Sequence, residues 1–547
     1  MPLRAPLRVP AGVRRALLAA CLLAAPAAWG QLPLPITPGA VLDTLPDRRP
    51  ALPPTPPEVV FPAPRPGAKH DPRSPRFLVN ALAFAGNTVF SERLLKRLTE
   101  RFVDLQLNLY DLDRAADAVT RYYREHGYPI ARAIVPAQKV EKGVVLIEVI
   151  EGRIAAINII GNKRYGDDAI LARLANLPRR ELVTVEALEE GLLLLNDLPG
   201  LSARGTLQPG AEFGTTDLLV RAEEKRHAGS LGLDNRGREE VGRYRLDAGF
   251  DLNNPLGLGD QLGLRLIESQ QDLLTYARVS YGVPLTAGGL KLTSTYSQVD
   301  YRMAGDFAAL GIDGEVVTAE IALSYPVLRS RRRNIFLGLG WRNTVSSQRA
   351  LGVATRADHI KLMSASVLGS WVHEDSAATY AYAAVSGNGK SNPTGLAQDA
   401  QYAKFEIDVN HLRAASKTWD LYLRANLVVS HDALADTEKM SLGGPDSVRG
   451  YLSAELRGDN GYQGTIELRR QFMLANVPGV FNLFYDAGAA RAKGFGGTDS
   501  IRSAGLGVTV FPRHYLRAKL EYAHATSDRR SQDGRRERAW LTITASY

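Results

Sequence analysis

Trp419-Asp420-Leu421-Tyr422-Leu423-Arg424-Ala425-Asn426-Leu427-Val428-Val429 is the stretch from which the fold can be read. In an extended chain Trp419, Leu421, Leu423, Ala425, Leu427 and Val429 share one face, and Asp420, Tyr422, Arg424 and Asn426 share the other. The same two-residue period places Ala403, Phe405, Ile407 and Val409 against Lys404, Glu406 and Asp408, and Leu516, Ala518, Leu520 and Tyr522 against Arg517, Lys519 and Glu521. Strands of a soluble sandwich also alternate but are usually shorter. Runs of about ten residues with charged inner positions and interfacial Trp or Tyr fit a membrane barrel better.

Candidate strands fall near residues 228–235, 241–252, 259–269, 272–282, 289–301, 312–325, 333–345, 358–370, 375–387, 400–412, 418–430, 461–473, 479–488, 501–511, 515–526 and 537–547. That is about 16, an even number as bacterial barrels require. Open edges do not survive in lipid, so the sheet is expected to close around an aqueous lumen unless something fills it. No later run reaches the ~18 apolar residues of a spanning helix. The expected fold class is a transmembrane β-barrel of about 16 antiparallel strands over 226–547, preceded by two small α+β domains.

The N-terminus explains part of the charge. Arg4, Arg8, Arg14 and Arg15 precede an apolar run over 16–28, and Ala28-Trp29-Gly30 offers small residues for cleavage, so residues 1–30 read as a secretory signal. A lipoprotein reading of Leu18-Ala19-Ala20-Cys21 is disfavoured, because the apolar stretch between Arg15 and Cys21 is too short. Cys21 is the only cysteine, so the mature chain is expected to hold neither disulfide nor thiolate metal site. Cleavage lowers the formal charge from +9 to about +5, too mild and unclustered for nucleic-acid binding.

Residues 31–75 hold 14 of the 30 prolines and read as an extended linker. Within it, 38–45 has Pro38 at a first turn and Val41, Leu42 and Leu45 on one side, a short tethered helix. The pattern then becomes globular and repeats. A strand over 77–84, the Gly86-Asn87 turn, a helix with Leu94, Leu98 and Phe102, a second with Leu112, Ala115, Val119 and Tyr123, and strands near 129–135 and 144–150 make one unit over 76–151. Residues 152–225 replay that order, with Gly161-Asn162 falling 75 residues after Gly86-Asn87. Two β-α-α-β-β units present strand edges able to take up an extended peptide by β-augmentation, or they are inert spacers.

A long interval, 431–460, breaks the barrel rhythm and carries Val448-Arg449-Gly450-Tyr451. Connections of that length are usually functional or disordered. Phe484-Tyr485-Asp486-Ala487-Gly488 lies in an alternating strand with its carboxylate inward. Read from residues alone, Arg449 and Asp486 are either a fixed bidentate pair pinning a loop to a wall or a solvated Arg and a loop Asp.

The order of these parts resembles the outer-membrane transporters of two-partner secretion, the TpsB or haemolysin secretion/activation proteins of FhaC type. The likeness rests on the Pro-rich segment with its short helix, the two repeats, Asn253-Asn254-Pro255-Leu256-Gly257-Leu258-Gly259-Asp260, the Val-Arg-Gly-Tyr and Phe-x-Asp-x-Gly motifs and the aromatic C-terminal Tyr547. The resemblance implies two polypeptide-transport-associated (POTRA) domains and a 16-stranded barrel. It implies a loop folded inward so that Val448, Arg449, Gly450 and Tyr451 meet Phe484, Asp486 and Gly488, with 38–45 as a plug helix. It also implies secretion of an unfolded exoprotein recognised through its N-terminal secretion domain, an outer-membrane location with periplasmic POTRA domains, lipid contact, and insertion by the barrel assembly machinery. Arg424, Arg517 and Lys519 would keep the lumen wet.

Rival functions leave weaker traces. Asn388-Gly389-Lys390-Ser391 has Ala384 where a phosphate loop needs Gly, and there is no His-Glu-x-x-His or Gly-x-Ser-x-Gly pattern, so neither enzyme chemistry nor a cofactor or metal is expected. A BamA-like assembly factor is the alternative, sharing POTRA units and both barrel motifs. Two POTRA units and the Pro-rich segment favour secretion, and a passive porin has no use for the repeats.

Overall fold

The computed structural model describes residues 36–45, 59–60, 74–175, 177, 182–212, 214–388, 401–494 and 497–547. The signal over 1–30, most of the linker and Asn388-Gly389-Lys390-Ser391 beyond its first residue lie outside them.

Sixteen strands close into one barrel. They begin at His227–Asp234 and end at Glu537–Ser546, which pair with each other from Ser230↔Ser546 to Asp234↔Thr542. Every neighbouring pair follows chain order except Trp419–Ser430 with Asn460–Leu474, which the long interval separates. Alternation decides the faces. Leu231, Leu233, Leu339, Met363, Ile466 and Leu520 are exposed on the outside, while Asp408, Glu467, Asp486 and Glu521 are buried inside. The three longest strands, Asp313–Arg329, Arg333–Ala350 and Val353–Val372, have 17, 18 and 20 residues and outrun the expected spans, as Val477–Arg491 and Asp499–Arg513 also do. Among the described residues no helix is long and apolar enough to cross a membrane.

The first repeat packs helices Glu92–Thr99 and Leu109–Glu125 on a sheet ordered Ala81–Ala85, Val144–Ile150, Arg132–Ile134. Asn108 and Asp111 start the longer helix with a reciprocal capping box, and its face Leu112, Ala115, Val119 and Tyr123 is buried as expected. Two expectations need correction. The strand over 77–84 is two strands: Phe77–Val79 pairs with Leu105–Leu107 and Ala81–Ala85 with Val144–Ile150. Asn80 divides them, its amide donating to Lys142 O and its N–H to Gly143 O. In the first helix Leu95 and Thr99 face the core, Leu94 and Leu98 flank it, and Phe102 lies beyond in a 3-10 turn.

The second repeat packs helices Asp167–Arg173 and Val185–Asn196 on strands ordered Leu201–Pro209, Thr215–Glu224, Arg153–Ile160. The two units also repeat in detail. The Gly86-Asn87 turn is closed by Asn87 Nδ2 donating to Phe90 O and by Glu151 accepting the N–H groups of Thr88 and Val89. The Gly161-Asn162 turn is closed by Asn162 Nδ2 donating to Tyr165 O and by Glu224 accepting those of Lys163, Arg164 and Tyr165. A fourth strand, Val59–Val60 of the linker, lies parallel to Gly205 and Thr206 on the outer edge of Leu201–Pro209.

The Asn253 to Asp260 motif is the socket for the second repeat. Its turn closes on the buried Asp260, which accepts the Tyr281 hydroxyl at 2.9 Å, and on Asn254, which accepts Gly259 N–H at 2.8 Å. Against it sit Leu198 and Arg164, whose guanidinium donates to Asn254 O and Pro255 O. A bidentate pair from Arg329 to Asp197, at 2.9 and 2.7 Å, ties the helix end to another turn of the barrel.

Candidate functional site

Residues 431–459 fold back into the lumen. The interval carries a hairpin, Met440–Leu442 paired with Leu456–Gly458, and a 3-10 turn, Asp436–Glu438. Gly443 and Gly444 take positive φ at the tip, and a Cβ on Gly443 would collide with Leu452 O. These turns aim Val448, Arg449 and Tyr451 at the wall, all buried.

Arg449 and Asp486 meet at the wall. Arg449 Nε and Nη2 donate to the two Asp486 oxygens at 2.9 Å each, and the Arg449 N–H adds a third bond at 3.2 Å. Thr465 and Ser503 hydroxyls donate to the same carboxylate at 2.9 and 3.3 Å. Arg449 also lies over Phe484, with Cζ 3.3 Å from the ring centroid. Both motif glycines permit close approach. A Cβ on Gly450 would sit 2.8 Å from Ser503 Cβ, and one on Gly488 would sit 3.0 Å from Leu442 Cδ2. Tyr451 donates its hydroxyl to Arg529 O at 2.9 Å and shares a bond with Ser527. Tyr547 is remote from this cluster; it prolongs the barrel ladder, exchanging backbone bonds with Gly229.

Sequence reasoning missed two carboxylates. Arg449 Nη1 donates to Glu467 at 3.1 Å and to Glu521 at 2.8 Å, and these in turn pair with Arg469 and Lys519, each at 2.8 Å. Three cations thus balance three acids, with Asp486 0% exposed. The signal was present, since Glu467 and Glu521 are inward by alternation. Arg449 and its three carboxylate partners are buried, while Arg469 and Lys519 at the margin keep about a third of their side chains exposed. Removing Arg449 leaves three buried carboxylates with two cations and costs about 3–5 kcal/mol locally.

The short helix, Pro38–Leu42, also lies inside the barrel. Ile36, Ala40, Val41 and Leu42 pack on inward Leu274, Val299, Tyr301 and Val316. Its polar contacts converge on the inward loop. Gly39 N–H donates to Asp436 at 2.7 Å, and Arg457 donates to Asp436, Thr37 and Asp43 at 2.5, 2.9 and 3.0 Å. A Cβ on Gly39 would collide with Asp436 O, which accounts for glycine there. The wall adds Gln348 to Ile36 O and Arg245 to Thr44 O, at 2.8 and 2.6 Å. Arg457 and Asp436 carried no sequence signal, because a loop has no period to interpret. Among the inward charges, Arg424 pairs with Asp408. No group of His, Cys, Asp or Glu able to hold a metal occurs among the described residues.

Comparison with known proteins agrees with this geometry. Residues 77–152 match a POTRA domain of ShlB type, and residues 214–510 match the haemolysin secretion/activation protein ShlB/FhaC/HecB. The heme/hemopexin transporter protein HuxB of Haemophilus influenzae is 26% identical over 442 residues, 76% of this chain and 77% of its own. The structure of CdiB from Escherichia coli superposes with TM-score 0.67 at 20% identity, covering 88% of this chain and 93% of its own. BamA from Haemophilus ducreyi lacking POTRA domains 1-3 shares the fold at TM-score 0.55 and 15% identity, over 86% of this chain and 100% of its own. The chain belongs to the ShlB/FhaC/HecB haemolysin secretion/activation family, the POTRA-bearing outer-membrane transporters of two-partner secretion.

Proposed function

We propose that an unfolded exoprotein reaching the periplasm pairs its N-terminal secretion domain with an edge of the POTRA sheets, displaces the helix and the inward loop, and threads through the lumen to fold outside. The observation that carries this reading is the content of the lumen. The Pro38–Leu42 helix and the 431–459 loop occupy it, and both are held by non-covalent contacts that can break and re-form.

The edges support the docking step. Ala81–Ala85 and Arg132–Ile134 are the outer strands of the first sheet, and Arg153–Ile160 is an outer strand of the second. The remaining edge carries Val59–Val60, so a cargo strand there replaces the linker. The reading involves no catalysis, cofactor or metal, and cargo folding outside draws the movement. Lipid covers the outward leucines, and the barrel assembly machinery inserts the chain by its last strand, which leads to Tyr547.

The test is reconstitution in liposomes with the secretion domain of the partner exoprotein, followed by protease protection. Protected cargo inside wild-type vesicles, and none in protein-free ones, is the expected result. Exposed cargo throughout overturns the reading. The likeness to BamA supplies a second reading, assembly of barrel proteins; insertion of an unrelated unfolded barrel protein by the same vesicles, without cargo transfer, would favour it.

A further inference from the structure

The seam that closes the barrel is its shortest pairing, and the inward loop reaches it. His227–Asp234 and Glu537–Ser546 share five residue pairs, whereas these strands share eight and nine with their other neighbours. Beyond Asp234 a side chain continues the ladder: Asn235 Nδ2 donates to Ala539 O at 2.9 Å and its Oδ1 accepts Leu541 N–H at 2.7 Å. At its other end the ladder runs on through Gly229 and Tyr547, so it is the Asp234 end of the seam that leans on what lies above it.

Above it three loops meet. Glu455, in the stem of the inward loop and 3% exposed, accepts the Ser531 hydroxyl at 2.7 Å and the Gln532 N–H at 2.9 Å. Gln532 Nε2 returns a bond to Glu455 O at 3.0 Å. Arg238, from the loop after the first strand, donates to Gln532 Oε1 at 2.9 Å and to Ser453 O at 3.0 Å. Glu240 accepts from the same guanidinium at 3.1 Å. Each loop is thus bonded to the other two, and two of the three flank the seam.

We infer that Glu455 is the positioning residue of a clamp through which the inward loop holds the barrel seam closed. Ser453 and Glu455 leave with the loop when it withdraws from the lumen, so releasing the loop also unclamps the first strand from the last. The clamp concerns the barrel wall alone and holds with or without cargo, which separates it from the secretion reading.

Hydrogen exchange on the full chain in lipid nanodiscs, without cargo, tests it. Glu455→Ala is expected to speed exchange at 230–234 and 541–546 by about tenfold, while the junction of Asn460–Leu474 with Val477–Arg491 stays as in the wild type. Glu455→Gln gives a smaller rise than alanine, since its amide oxygen still accepts the Gln532 N–H, whereas the Ser531 hydroxyl, which already accepts from Arg538 and Leu452, loses its acceptor. Gln532→Ala, at an exposed residue, gives a smaller rise in the same two strands. Unchanged seam exchange in both alanine variants, or a rise spread evenly over all junctions, overturns the clamp.

Discussion

Two arginines on one loop do different work. Arg449, at the tip, is bonded to three carboxylates of the wall and shielded from water. Arg457, at the base, is bonded to the helix through Thr37 and Asp43 and to its own loop through Asp436. Asp43 keeps a quarter of its side chain exposed. The loop is thus fastened to the barrel, and the helix bridges the two, its apolar face on wall residues Leu274, Val299, Tyr301 and Val316 and its charged contacts on the loop. A buried guanidinium shared by three carboxylates releases all at once, because its departure leaves them buried and short of a cation. A part-wet dock releases more cheaply. The account therefore orders the events: the helix leaves first, and the loop needs a larger push.

The largest effect is expected for Arg449→Ala, about 3–5 kcal/mol of loop anchoring, read as loss of protease resistance in 431–459 by limited proteolysis. Arg449→Lys should recover little, because an ammonium cannot reproduce the two-pronged bond to Asp486. A loop equally protected in both variants would break the contrast from the tip side.

Next comes Arg457→Ala, expected to weaken the helix dock by about 2 kcal/mol and to raise single-channel conductance while the loop stays protected. Conductance equal to wild type, or loss of loop protection with it, would show that helix and loop are not separately held. Acid gives a smaller, reversible form of the same release. Burial pushes the Asp436 carboxyl up, but Arg457, Arg356 and the Gly39 N–H more than offset it and hold it below the usual carboxylate range. A depressed carboxyl stabilises the dock above its unfolded pKa and loses that contribution as pH falls through the folded value. Channel opening on acidification below about pH 4, abolished in Asp436→Asn, is the expected outcome.

The smallest effect is expected at the POTRA edge. Val59→Pro with Val60→Pro removes the N–H that this two-residue parallel strand can donate to its neighbour and should tighten cargo binding by roughly fivefold, measured by titrating the secretion domain. Weaker binding would mean that the linker strand helps the cargo rather than competing with it.

How much was legible follows from where period and environment coincide. Alternation located all sixteen strands, because lipid on one face and water on the other impose it. It undercounted Asp313–Arg329, Arg333–Ala350 and Val353–Val372, whose ends carry Arg349, Thr355, Arg356 and Asp358. Both faces are polar there, and a two-residue period of hydrophobicity vanishes. The Arg449–Asp486 pair came through short motifs, and Glu467 and Glu521 were recoverable from the same alternation. The loop hairpin was not, since strands of three residues are shorter than any period. The helix dock was not legible either, because Arg457 and Asp436 act through long-range contacts with residues 37–43 that no local pattern encodes.

The central claim is that the inward loop blocks the path and moves during secretion. Leu442 on the loop lies against Gly488 of the wall, and the only native cysteine is Cys21, so Leu442→Cys with Gly488→Cys places one reversible tether between them. Secretion of the exoprotein by cells carrying this pair is the measurement to make. The account predicts that the oxidised form stops secretion and that reduction restores it. Undiminished secretion with the disulfide demonstrably closed would contradict it.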